Sequence, residues 1–406
     1  MSLFNGKTLR KVILNPLAQL LFVIVLASSF YSQLPDDVIE FFLTVSVFLK
    51  EMLTFVLPFL LFSFIAAALS SIPRGGMLFV FGLMAMVSIS NFLNILISGS
   101  VGFFLLSGLK TSGLEGTGAL FQPYFDIRFP HIAESTTALL AGVVVGLVNS
   151  MYPNKYATAA VKFIHNLVLK FMKKIFIPLL PLFVGGFLLK LCAEGKMTGF
   201  VEHNFLICAM MCGFLLCYLT LWLMIASSFR RKEVVGIIKN IFPAMATAFS
   251  SMSSAAALPL SLEAARKNTG DKILADAVMP LTLNFHMVGD TILVPIMAML
   301  VMLAFNHPLP TIQNFIMFGI FFVLNKFAGG GVPSGTIVVT IPVLKEFFGF
   351  DDGMVAFIVA FYGVIDPIAT AGNVTANNLF VIIFQKIKNK VKIRFRRNNG
   401  NGKPRE

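Results

Sequence analysis

The chain has 406 residues, 57% hydrophobic and only 13% charged, against about 25% charged residues in a soluble domain. That balance excludes an ordinary water-soluble globule and makes lipid the expected solvent. The formal charge of +13 is carried by residues that flank apolar runs and form no separate basic domain, which argues against nucleic-acid binding.

The apolar stretches, in chain order, fall at about 12–31, 41–72, 76–107, 134–150, 164–192, 204–229, 271–305 and 352–385. Each approaches or exceeds the roughly 20 residues that a spanning helix needs. The first, from Val12 to Phe30, is long enough to span and lacks a small-residue cleavage site, so it is expected to be a retained helix. Of the four cysteines, Cys208, Cys212 and Cys217 share one apolar stretch with a spacing of four or five. They read as buried thiols in preference to metal ligands.

Two further apolar segments are interrupted. One, 234–268, breaks at the run from Ser250 to Pro259; the other, 311–348, breaks at Ala328 to Gly335 around Gly329-Gly330-Gly331. Backbone without helical hydrogen bonds is tolerated at membrane depth only where protein or a watery cavity satisfies it. Such segments are expected to enter the membrane and turn back, and a pair of them points to a transporter's binding site. Two kinked spanning helices are the plainer alternative.

Counting both as hairpins leaves eight spans and puts the two termini on one side. Lys7, Arg10, Lys11, Arg74, Lys155, Lys162, Arg230 to Lys232 and the tail from Lys386 to Arg405 then face the cytoplasm together, as the positive-inside rule requires. The expectation is an all-α polytopic membrane protein with eight transmembrane helices and two re-entrant helical hairpins. It would sit in a plasma membrane, or the inner membrane of a bacterium, with its basic tail against anionic lipid.

Ionisable groups inside spans are costly and become functional candidates by default. His286 and Asp290 lie four residues apart in the seventh span, which would place them on one helix face. In the last span Asp366, Thr370, Asn373 and Asn377 follow at offsets of four, three and four, one polar stripe down one side. Lys326 precedes the glycine-rich break. The plainer readings are a structural His286–Asp290 couple, a protonated Asp366 in the core, and a Lys326 that snorkels to the interface. His286, Asp290 and Asp366 do not make a recognisable metal site.

These residues sit in motifs that resemble the dicarboxylate/amino acid:cation symporters, the glutamate-transporter homologues. Phe48 to Met52 with Pro58 is similar to that family's second helix, and Ser253 to Pro259 to the serine-rich tip of its first hairpin. Met279-Pro280-Leu281 with His286 to Asp290 falls on its Pro-Leu and Asn-Met-Asp-Gly-Thr motif. Gly331-Val332-Pro333 falls on the second hairpin tip and Asn373-Val374-Thr375 on the Asn-Val-Thr of the last helix.

The resemblance implies a homotrimer working as an elevator. Scaffold helices one and two would occupy 1–75, helix three of the transport domain 76–107, and a loop with scaffold helices four and five 108–200. The rest of the transport domain would be 201–392, with hairpins at 234–268 and 311–348, and a basic tail 393–406 would follow. It implies a small-molecule substrate, no enzyme activity and no cofactor beyond a coupling ion, sodium or a proton.

Carried over residue by residue, the family's amine-binding aspartate falls on Asp366, its neighbouring threonine on Thr370, and its carboxylate-binding asparagine on Asn373. Ser253, Ser254, Val332 and Pro333 fall on the two hairpin tips. The half of the site that reads the side chain differs. The arginine that grips an acidic substrate falls on Ala369, and the motif threonine on Asp290. One positive charge is lost and one negative charge gained, so acidic substrates are expected to be rejected. A cationic amino acid paired with Asp290 is the first expectation, and a neutral one, with His286 offsetting Asp290, the second.

The sodium-binding Asn and Asp of the family fall on His286 and Val288, and the aspartate of the last helix on Asn377. Lys326 stands at a serine position beside another sodium site, where its ammonium could take the ion's place. Sodium coupling is therefore expected to be weakened or replaced, by proton coupling through His286 and Asp290 or by the membrane potential. An ordinary sodium-coupled symporter, an uncoupled facilitator or channel on the same fold, an intramembrane enzyme and a non-transporting receptor are the competing classes.

Overall fold

A computed structural model describes residues 16–70, 77–106, 121–125, 128–130, 133, 135–194, 200–329 and 335–399. Among them every long element is helical. The helices are α1 (Pro16–Phe30), α2 (Asp36–Ser70), α3 (Met77–Leu106), α4 (Ser135–Met151), α5 (Lys155–Phe171), α6 (Ile177–Ala193) and α7 (Phe200–Ala226). They continue with α8 (Arg231–Ser251), α9 (Ser254–Thr269), α10 (Lys272–Phe285), α11 (Val288–Ala304), α12 (Ile312–Gly329), α13 (Gly335–Phe348) and α14 (Asp352–Asn399).

Among the described residues, five helical segments are long and apolar enough to cross a membrane, and a sixth if Lys155–Phe176 and Pro178–Ala193, bent by 56° relative to each other, count as one. The chain is thus a multi-pass membrane protein. The last helix runs beyond the apolar stretch that ends near 385, through Lys386 to Asn399, because Lys, Arg and Gln sustain a helix as well as apolar residues do.

The helices fall into two compact units, Met1–Met211 with Thr291–Asp366, and Cys212–Asp290 with Pro367–Glu406. In the first, α2 is the central post, packed against α4, α5, α6, α12 and α13. Small residues set its closest approaches. Gly142 and Gly146 of α4 lie on the α2 backbone at Phe62 and Ala66, and Gly186 of α6 lies on the Phe42 carbonyl and Ser46. In lipid, where apolar burial drives little association, such close backbone contact supplies the packing.

Ser46 Oγ bonds to the carbonyl of Leu182 at 3.0 Å. Lys50 Nζ joins Glu51 at 2.8 Å and Asp352 at 2.9 Å, and Lys345 Nζ reaches Asp352 at 2.7 Å, linking α2, α13 and the start of α14. The α12 and α13 arms pack on each other, with Asn325 Nδ2 donating to the Val339 carbonyl at 2.8 Å.

In the second unit α8 and α9 form a helix–turn–helix with a two-residue turn, Met252 in left-handed backbone (φ 50°) and Ser253 extended. The sequence breaks over ten residues, but the structure needs only these two, and Pro259 lies inside α9. Ser253 Oγ caps α9 by accepting from the Ala256 amide at 3.3 Å, satisfying an N–H that the helix leaves free. Asn240 Nδ2 ties the two arms by donating to Asn268 Oδ1 at 2.7 Å.

Gly270, at φ 65°, ends α9, where a Cβ would strain the backbone. Asp271 then caps α10 by accepting from the Leu274 amide at 2.9 Å. Arg266 binds Asp276 across this turn, and Gln385 of α14 donates to the Thr269 carbonyl.

Candidate functional site

The second unit holds a helix broken where the sequence shows no glycine or proline. α10 stops at Phe285, His286 is extended (φ −89°, ψ 90°), and α11 starts at Val288. His286 and Asp290 therefore do not share one helix face, as their spacing suggests; the break lies between them. A broken span leaves carbonyls at the end of one half and amides at the start of the other without partners. α14 supplies those partners from its polar stripe.

Asn373 Oδ1 accepts from the Gly289 amide at 2.7 Å and the Asp290 amide at 3.3 Å, so it caps α11 from another helix. Its Nδ2 donates to Asp290 Oδ2 at 3.1 Å. Asn377 Nδ2 donates to the His286 carbonyl at 3.0 Å and to the Asn373 carbonyl at 2.8 Å. Gly289 is pressed on the Ala369 carbonyl with no room for a Cβ, which brings α11 and α14 together at the site. The His286 ring lies between Trp222 and Phe380, with centroids 5.5 and 4.8 Å away.

Burial gives the electrostatics. Asp290 is 1% exposed and His286, Ala369 and Asn377 are 0% exposed, so the carboxylate has little water to solvate it. Among the described residues, His286 and Asp290 are the ionisable side chains buried in this unit. A carboxylate in such a site is stabilised by hydrogen bonds and by an opposite charge, whether supplied by the protein or by a ligand.

The structure thus brings together His286, Asp290, Ala369, Asn373 and Asn377. Thr370 is buried on the same helix. Ser253 and Ser254 sit at the α8–α9 turn, half-buried, with the Ser253 hydroxyl occupied in its own helix cap. Asp366 and Lys326 belong to the first unit, and both are buried. Lys326 does not snorkel, as a lysine near a helix end is free to do: it is 1% exposed, with its ammonium 3.9 Å from the centre of the Phe322 ring, a cation–π contact. Val332 and Pro333 lie outside the described residues.

Sequence reasoning missed Gly289, Trp222 and Phe380. Gly289 was legible as the glycine of the motif. The two aromatics carried no signal, because they meet His286 only through the fold.

The Asn377 amide donates to the carbonyls of His286 and Asn373, so both oxygens beside the break already accept a hydrogen bond. Residues 17–387 match the family model described as the sodium:dicarboxylate symporter family, a match that runs through every helix described above. The chain belongs to the sodium:dicarboxylate symporter family.

Proposed function

We propose that this transporter carries an amino acid with a cationic side chain, and that it rejects aspartate, glutamate and succinate. The observation that carries the reading is the buried Asp290 carboxylate, held by Asn373 at 3.1 Å beside a fully buried Ala369. A cationic substrate would meet a fixed acceptor there, and an acidic one would meet a like charge with no guanidinium to offset it. In this reading Asp366 and Thr370 receive the substrate amine, and Asn373 and the α8–α9 turn its carboxylate. A neutral substrate is the second reading, with the buried His286 supplying the compensating charge.

The coupling reading rests on Asn377 and Lys326. The Asn377 amide takes the role of one ion and the Lys326 ammonium that of another, so sodium coupling is weakened. A proton through His286 and Asp290, or the membrane potential, replaces it. A potential of roughly 100 mV contributes about 2.3 kcal/mol per charge, on the order of 50-fold accumulation of a monovalent cation.

The self-packed pairs α8–α9 and α12–α13 support two re-entrant hairpins within an eight-span topology with cytoplasmic termini. The proposed machine is a homotrimer whose scaffold holds still while a transport domain moves as an elevator.

Competition for uptake into proteoliposomes tests the substrate assignment. Arginine and lysine are expected to compete best. Asp290→Asn keeps the side chain's shape and removes its charge, and should weaken them about tenfold to a hundredfold, the worth of a hydrogen bond to a charged group. Aspartate as the best competitor, or an unchanged ranking in Asp290→Asn, would overturn it.

A further inference from the structure

The second unit also carries a groove of about 390 Å³ that the site does not use. It runs between α7, α8 and α14, walled by Leu219 and Leu223, Ile238 and Phe242, and Gly372 and Leu379. Its lining is almost wholly apolar, with Thr220 and Thr375 as the polar exceptions, whose hydroxyls bond to their own helices at Leu216 and Ala371. Phe242 is 56% exposed and Ile238 46% exposed, so the groove opens outward from the unit.

Its two walls end in basic residues at the same end. On α8, Arg231 precedes Ile238 by seven residues, two turns along the same face. On α14, Lys386 follows Leu379 by seven residues. Seven residues are about 10 Å of helix, the offset between an acyl chain and its headgroup. Around this end Arg230 pairs with Glu233 at 3.1 Å. Lys386 Nζ lies 3.9 Å from Glu233, and donates to the Ala226 carbonyl and Ser228 Oγ at the end of α7. Arg231 and Lys232 are exposed. Four cations face one carboxylate there, which leaves a net positive rim on an apolar trough.

We propose that this groove seats an acyl chain of an anionic phospholipid, with the lipid phosphate at Arg231 and Lys386. The occupant is set by the combination: the trough asks for a hydrocarbon chain and the rim for an anion at interfacial depth, chemistry that one lipid molecule supplies.

The single tryptophan of the chain reports on it. Trp222 packs on the cluster of Ile241, Leu379 and their neighbours, which also forms the groove wall. The full chain is reconstituted in mixed phosphatidylglycerol and phosphatidylcholine bilayers with brominated acyl chains on one lipid class at a time, and quenching of Trp222 is read. Brominated phosphatidylglycerol should quench more strongly at equal mole fraction, with a selectivity of roughly fivefold for each basic side chain engaged.

Arg231→Gln and Lys386→Gln should each lower the selectivity by about that factor, and Thr220→Phe, which fills the trough, should lower quenching by either lipid. Arg231→Gln carries the test if loss of the Lys386 cap unfolds the protein. Equal quenching by the two lipids, selectivity untouched by Arg231→Gln, quenching untouched by Thr220→Phe, or no quenching at all, as when protein fills the groove, would each overturn the proposal.

Discussion

The proposed loss of a sodium site turns on one atom of Asn377. Its amide donates to two carbonyls; an ionised aspartate there would donate to neither and would face both oxygens with its own charge. Breaking such a buried arrangement costs about 3–5 kcal/mol. Asn377→Asp should therefore lower the melting temperature in sodium-free buffer, and sodium should restore it by binding the folded state. The parent protein should show no sodium shift, and an equal shift in parent and variant would contradict the reading. The side-chain pocket makes a paired prediction. Ala369→Arg combined with Asp290→Thr adds one positive charge and removes one negative charge, and should bring aspartate uptake while arginine uptake falls. Arginine uptake unchanged in the double variant would remove Asp290 from the pocket.

At the scale of elements, backbone contact at glycine holds the helices together, and the prediction is mechanical. Gly186→Ala drives a methyl into the Phe42 carbonyl and Ser46, an overpacking worth about 1–3 kcal/mol, and should lower the melting temperature. Gly213→Ala, where nothing lies within 4 Å, should leave it unchanged or raise it, by up to about 1 kcal/mol of helix propensity. Equal effects would mean that propensity, not contact, governs both.

Most helices are legible as apolar runs because lipid selects for them. The polar stripe from Asp366 to Asn377 is legible because helical offsets put its members on one side. The turn between α8 and α9 is legible in place but not in extent, since Ser and Pro mark a break yet Pro259 sits within α9. The break at His286–Met287 is not legible at all. It is made by Asn373 and Asn377, more than 80 residues away in sequence, and no local pattern encodes a cap supplied by another helix.

For the whole molecule, family membership fixes the broad activity and the site argues for a departure from it. Transport of a small solute through a multi-pass membrane protein follows from the family. The proposed cationic selectivity rests on Asp290 and Ala369, and the proposed weakening of sodium coupling on Asn377 and Lys326. The two departures reinforce each other, because a substrate that carries its own positive charge is drawn inward by the membrane potential without a co-transported ion. The most direct measurement is uptake of labelled arginine and labelled aspartate into proteoliposomes under a negative-inside potential, with external sodium present or replaced by choline. The account predicts saturable arginine uptake that rises with the potential and persists in choline, with little aspartate uptake in either condition. Aspartate uptake that vanishes when sodium is removed, with no uptake of arginine, would contradict it.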